Sequence, residues 1–258
     1  MARVLVTGGA AGLGAALADA FAARGDEVVV ADRREVSGPH DALRLDVTSE
    51  ADWVAALDWV ERTWGGLDVL VNNAGVAGGG RLEVCSAQEW RDVLEVNLMG
   101  AVLGTRTFTP LLKRQRAGLV VNVASLAGLV HPAGMAAYNA GKAAVVALSE
   151  TTGHELAAYG VRCAVVCPSY FRTGLVDDLQ VTDAALGGVM RQLVAEAPLG
   201  PDEIAAAVLE GLDRGDELIL PDPAARAAYE LKLRDRAAYD ETMRRQAARL
   251  HALGGDPA

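Results

Sequence analysis

Short β-branched runs alternate along the chain with longer, Ala-rich amphipathic stretches. Arg3-Val4-Leu5-Val6-Thr7 reads as a buried strand, followed by a Gly-rich turn and a helix to about residue 24. Further strands are expected at 27–31, 42–45, 68–71, 119–123, 161–166 and 217–220. Helices are expected from Thr48 or Ser49, as N-cap, through Trp64, and at about 86–94, 97–116 and 136–158. Two regions break the alternation. Residues 172–200 form a long connection with a helix at about 183–195, the length and position of a lid. Residues 222–252 read as one long charged helix with a rough apolar stripe.

Strands apolar on both faces and separated by helices indicate a parallel sheet covered on each side. The expected fold is α/β: a single Rossmann-type, doubly wound parallel sheet of about seven strands, in one domain over residues 1–258. The 258 residues suffice for a sizeable core, and 51% are hydrophobic. The net charge of -10 argues against a nucleic-acid partner, which calls for a basic face. It does not oppose a dinucleotide whose phosphates are held by backbone N–H groups. Cys85, Cys163 and Cys167 form no C-x-x-C pair, so reduced thiols and a cytoplasmic location are expected. No apolar run reaches membrane-spanning length, and the first strand begins too early for a signal peptide. No metal set is read from the chain.

Tyr138 and Lys142 lie four residues apart, on one face of the expected helix, with Ser125 thirteen residues upstream. A phenol has a pKa of about 10, and a nearby cation favours its ionised form. A tyrosine so tuned can move a proton, and a serine hydroxyl can hold a substrate oxygen. Thr7-Gly8-Gly9-Ala10-Ala11-Gly12-Leu13-Gly14 follows a strand and opens a helix. Its glycines admit a pyrophosphate to the backbone, where the helix N-terminus supplies donors. Asp32, at the end of the second strand, suits the adenosine ribose hydroxyls. Its carboxylate favours NAD(H). Arg33 or Arg34, swinging towards a 2′-phosphate, keeps NADP(H) open.

With these pieces in order, the chain resembles the short-chain dehydrogenase/reductase family, strongly over residues 2–173 and weakly to about 220. The glycine turn matches T-G-x-x-x-G-x-G, Asn72-Asn73-Ala74-Gly75 matches N-N-A-G, and Tyr138 with Lys142 matches Y-x-x-x-K. Asp46-Val47, Asn97 and Ser125 fall at the family's remaining positions. The resemblance implies that Tyr138 is the general acid in reduction and the base in oxidation. Lys142 would lower its pKa and hold the nicotinamide ribose, and Ser125 would bind the carbonyl or alcohol oxygen. Asn97 would position a water for proton relay; as a residue it also reads as a helix-bend asparagine. Asp46 and Val47 would sit by the adenine, although Asp46 reads equally as a turn or capping carboxylate. Pro168 and Thr173 would border the nicotinamide. Pro168-Ser169 departs from the family's Pro-Gly, which costs backbone freedom there, and the C-terminal helix departs further. That helix is expected to block one usual interface and leave a homodimer, with a tetramer as the alternative.

The pocket is expected between residues 126–135, with Leu126, Leu129, His131 and Met135, and the 172–200 connection preceded by Tyr170. Leu175, Val176 and Leu179 complete an apolar mouth. The resulting expectation is an NAD(H)-dependent oxidoreductase of hydrophobic secondary alcohols and ketones, with no membrane or nucleic-acid partner. The alternatives are an NADPH-dependent ketone or 3-oxoacyl reductase and a non-catalytic dinucleotide sensor. A nucleotide-sugar epimerase would need more chain than the 85 residues after Thr173.

Overall fold

The computed structural model describes residues 1–176 and 182–254. Its centre is a parallel sheet of seven strands in the order β3-β2-β1-β4-β5-β6-β7. These are β1 (Arg3–Thr7), β2 (Glu27–Asp32), β3 (Asp41–Arg44), β4 (Val69–Asn72), β5 (Gly118–Val123), β6 (Val161–Val166) and β7 (Leu218–Ile219). The strand alternation sorts side chains to two cores. Val4, Val6, Val28 and Val30 face α1 (Gly12–Ala23) and α8 (Pro201–Arg214). Leu5, Val29, Leu70 and Val120 face α2 (Glu50–Thr63) and α4 (Gly100–Gln115), with Trp53 and Phe108 filling the space. Strands β1, β2, β4, β5 and β6 are thus largely buried on both faces, which is why they read as apolar runs, whereas the edge strand β3 is mostly exposed.

Several elements differ from expectation. The helices at 86–94 and 97–116 are one continuous rod, formed by α3 (Ala87–Leu94), a π-helical turn (Glu95–Met99) and α4. The turn holds Asn97, in keeping with its reading as a helix-bend residue. Helix α8 was not expected, although Pro201 in its first turn and Gly215 at its end are helix boundary signals. The expected 222–252 helix is two: α9 (Pro223–Arg234) and α10 (Arg236–Gly254). Asp235 leaves helical geometry, and its side chain accepts from the Ala238 N–H at 2.9 Å to begin α10. The remaining helices are α5 (Ala127–Val130), α6 (Ala136–Leu156) and α7 (Ala184–Ala195). Ser49 caps α2 by accepting from Asp52 N.

Gly104 shows how tightly α4 sits on the sheet. A Cβ there would lie 2.4 Å from Asn72 Oδ1 and 2.6 Å from the Trp53 ring. In an open helix Ala is favoured over Gly by about 1 kcal/mol. Overpacking costs about 1–3 kcal/mol and wins here. Gly104→Ala is therefore expected to lower the urea-unfolding midpoint; an unchanged or higher midpoint would show that α4 can slide.

Candidate active site

The chain reverses its direction of sheet growth between β1 and β4, and the loops after those two strands part at that point. The Thr7 hydroxyl joins them. It donates to Val71 O at 3.2 Å and accepts from Asn73 N at 3.0 Å and Ala74 N at 3.1 Å. Asn73 Nδ2 donates back to Thr7 O at 2.9 Å. These bonds set the glycine turn beside Asn73-Ala74-Gly75. Gly8 has φ +65, and a Cβ on Gly14 would lie 2.3 Å from Gly8 O, so the turn closes only with glycine there. Ala11 at the N-cap of α1 makes no side-chain cap, which leaves first-turn N–H groups, including that of Leu13, for another acceptor.

Asp32 is buried at the end of β2. Its Oδ2 accepts from Ala10 N at 3.2 Å, and its Oδ1 from Arg34 N at 2.9 Å and Arg34 Nε at 3.3 Å. Burial works to raise its pKa, but these bonds outweigh it and hold the carboxyl below its ordinary value. Arg34, rather than Arg33, is the partner of Asp32. Arg33 is exposed and acts on Asp46 through its charge. Asp46 Oδ1 accepts from Thr48 N at 2.9 Å and Thr48 Oγ1 at 2.7 Å, the turn role weighed for it. Val47 packs where a Cβ on Gly100 would meet it at 2.8 Å, and its carbonyl accepts from Trp53 Nε1. Thr173 Oγ1 lies 3.1 Å from the Cβ position of Gly12, which brings the connection after β6 against the glycine turn. The glycine cradle, the uncapped N–H groups of α1 and the buried Asp32 fit a dinucleotide.

Tyr138 and Lys142 are both buried on α6. Lys142 Nζ donates to Val123 O at 2.9 Å and lies 5.7 Å from the Tyr138 ring centroid. Ser125 sits half-buried between β5 and α5; its Oγ accepts from Ala127 N at 3.1 Å and approaches Pro168 O at 3.5 Å. The phenol is pushed up to about 12, chiefly by burial, with Ser125 pulling the other way. Lys142 is pushed down to about 8, again by burial. Within the protein alone the phenol thus lies above its ordinary value, because loss of water outweighs the Ser125 hydrogen bond. Asn97 is buried and spends its amide on the main chain, Nδ2 to Val76 O at 2.9 Å and Oδ1 from Val76 N at 2.8 Å. A Cβ on Gly75 would lie 2.9 Å from Asn97 Oδ1 and 3.6 Å from Lys142 Nζ, so the three groups converge.

The pocket wall is only partly as expected. Met135 and Val176 share an apolar cluster with Tyr138. Leu126 and Leu129 face away from it, into a cluster with Tyr239 and Met243. His131 is exposed and pairs its Nδ1 with Ala127 O at 3.0 Å. Tyr170 OH reaches Met135 Sδ at 3.4 Å, while Leu175 is exposed. Leu179 lies outside the described residues. The cluster instead gains Val93 of α3, Leu186, Met190 and Val194 of α7, and Leu250 of α10. The α7 residues follow a helical spacing within the expected lid; nothing in the local pattern ties Leu250 to Tyr138.

Comparison with known proteins agrees with this geometry. The short chain dehydrogenase family model matches residues 2–184. A 3-alpha-(or 20-beta)-hydroxysteroid dehydrogenase of Mycobacterium tuberculosis is 38% identical over 182 residues, covering 67% of this chain and 70% of the relative. An NADP-dependent (R)-specific alcohol dehydrogenase of Lentilactobacillus kefiri is 36% identical, covering 68% of this chain and 75% of the relative. A Burkholderia phymatum short chain dehydrogenase/reductase solved in complex with NAD superposes with a TM-score of 0.84 at 31% identity, covering 100% of this chain and 97% of that one. Among the described residues no helix is long and apolar enough to cross a membrane. The chain belongs to the short-chain dehydrogenase/reductase family, NAD(P)-dependent oxidoreductases that act on hydroxyl groups.

Proposed function

We propose that the protein is an NAD(H)-dependent oxidoreductase that interconverts a secondary alcohol and a ketone of a hydrophobic small molecule. The observation that carries this reading is the meeting of Ser125, Tyr138 and Lys142 beneath an apolar wall, beside the glycine turn. Gly8, Gly12, Leu13 and Gly14 would hold the dinucleotide phosphates, Asp32 the adenosine ribose, and Asp46 and Val47 the adenine side. Asn73, Ala74, Gly75, Pro168 and Thr173 would line the nicotinamide side. The dinucleotide supplies or accepts the hydride. Ser125 Oγ holds the substrate oxygen, and the Tyr138 hydroxyl gives it a proton in reduction or takes one in oxidation. Lys142 holds the nicotinamide ribose and favours the phenolate once the site's charges are complete. Asn97 keeps the 75–77 segment against Lys142 and supports the relay of the proton to solvent. Residues 172–200, with α7, act as the lid.

Asp32 supports NAD(H), because a buried carboxylate repels a 2′-phosphate. Arg34 against Asp32 supports the second reading, an NADPH-dependent ketone reductase, as does the NADP-dependent relative. The intact Ser125, Tyr138 and Lys142 set speaks against a non-catalytic sensor. Absorbance at 340 nm over a panel of secondary alcohols and ketones, with each dinucleotide, tests function and cofactor together. NAD(H) turnover with apolar substrates is expected. Tyr138→Phe should lower it about 100-fold or more while leaving NADH binding intact; retained activity would refute the proton-transfer role.

The buried lysine carries a pH dependence. Its folded pKa of about 8 lies below the ordinary 10.5, so between these values the unfolded chain binds more protons and stability rises with pH. Relative to Lys142→Met, the parent protein should gain about 3 kcal/mol of stability across that window in urea titrations without dinucleotide. A difference that stays flat with pH would show that Lys142 keeps its water.

We also propose a homodimer built on the α4 and α6 faces. Helix α9 supports this, since Ala228 and Tyr229 share an apolar cluster with Leu218 and Leu220 beside the edge strand β7. Light scattering should report about twice 26.9 kDa; a tetramer would overturn the proposal.

A further inference from the structure

The C-terminal hairpin of α9 and α10 is fastened to the chain at three points around Ser125. Asp222, the N-cap of α9, is a buried carboxylate that gathers three donors. Its Oδ1 accepts from Ala225 N at 2.8 Å and from Ser169 Oγ at 2.6 Å, and its Oδ2 accepts from Ser169 N at 2.9 Å. Ser169 directly follows Pro168, whose carbonyl accepts from Leu126 N at 2.9 Å. Lys232 Nζ donates to Leu129 O, and the buried Tyr239 hydroxyl donates to Val130 O. Both acceptors lie in α5, the short helix that begins two residues after Ser125. The far end of α10 then reaches the opposite side of the site. Leu250 joins the cluster of Met135, Tyr138, Leu186 and Met190, and its Cδ1 lies 3.3 Å from the Cβ position of Gly134.

We propose that α9 and α10 form the outer wall of the substrate pocket within the same chain, with Leu250 setting the size of the uncharged group it admits. The Ser169–Asp222 clamp is a positioning device that fixes this wall relative to Ser125. It also accounts for serine in place of the family's glycine after Pro168, because only a side-chain hydroxyl gives Asp222 its second bond from that residue. The cluster around Leu250 is made of apolar side chains and the Tyr138 ring, so a charged substituent placed there would lose its water without gaining a partner. The wall therefore selects an apolar ketone or alcohol by bulk. This inference rests on the reading of Ser125 and Tyr138 as the groups that meet the substrate oxygen.

The test uses the full chain and a series of uncharged secondary alcohols and ketones, from propan-2-ol and acetone to fused bicyclic pairs; the alcohols are paired with NADH for binding and NAD+ for turnover, and the ketones the reverse. Calorimetric affinity and turnover at 340 nm are both measured. Leu250→Ala should improve binding of the bicyclic members about tenfold relative to the smallest, and Leu250→Trp should do the reverse, with NADH affinity unchanged in both. Asp222→Asn should flatten the size preference and raise KM more than it lowers kcat. A size profile unaltered in both Leu250 variants overturns the wall. Size-dependent binding without turnover of any member overturns the oxidoreductase reading and leaves the wall standing. A parent protein that binds none of the series overturns both.

Discussion

The site depends on the tie between β1 and β4, where the sheet's order reverses. Two loops that lead to opposite halves of the sheet must part there, and an open cleft between them would cost backbone hydrogen bonds. The buried Thr7 hydroxyl meets that cost by bonding Val71, Asn73 and Ala74 together. Asn73 returns a bond to Thr7 and so holds the glycine turn against the 73–75 loop. Gly14 can approach Gly8 O only because neither carries a side chain that would intrude. From this point the candidate site extends to Asp32 along β2 on one side and to Gly75, Asn97 and Lys142 on the other.

Burial governs the state of Tyr138 and Lys142. Tyr138 and Lys142 were placed together by their spacing, but spacing does not say how much water they keep. Both are enclosed, so the phenol rises to about 12 and the ammonium falls to about 8. Lys142 satisfies its proton on Val123 O rather than on the phenol. Burial thus favours the uncharged form of both groups relative to water, and charge brought by a bound molecule would shift that balance.

The fold was legible wherever a residue's role is local. Apolar runs marked the strands, Ser49 marked a cap, and the glycine turn marked the strand-to-helix passage. Helix α8 was legible as well, through Pro201 and Gly215, although no element was expected between the 172–200 connection and the last strand. The break at Asp235 was masked because charged, Ala-rich sequence suits a helix on either side of it. Pocket lining was the least legible. Leu126 and Leu129 resemble Met135 in kind, yet they turn to the other side of α5, where Tyr239 and Met243 cover them.

Sequence alone determined the family and the parallel sheet, and it pointed to Ser125, Tyr138 and Lys142 as neighbours. The sheet rests on short-range spacing along strands and helices, and the family on several short motifs that fall in order from Thr7 to Lys142. Tertiary structure decided which apolar residues face Tyr138 and that a helix more than a hundred residues away supplies one of them. It also decided that Ser169 pairs with Asp222, fifty-three positions on. Contacts of that kind follow from how helices cross the sheet edge, and no periodicity in the chain records them.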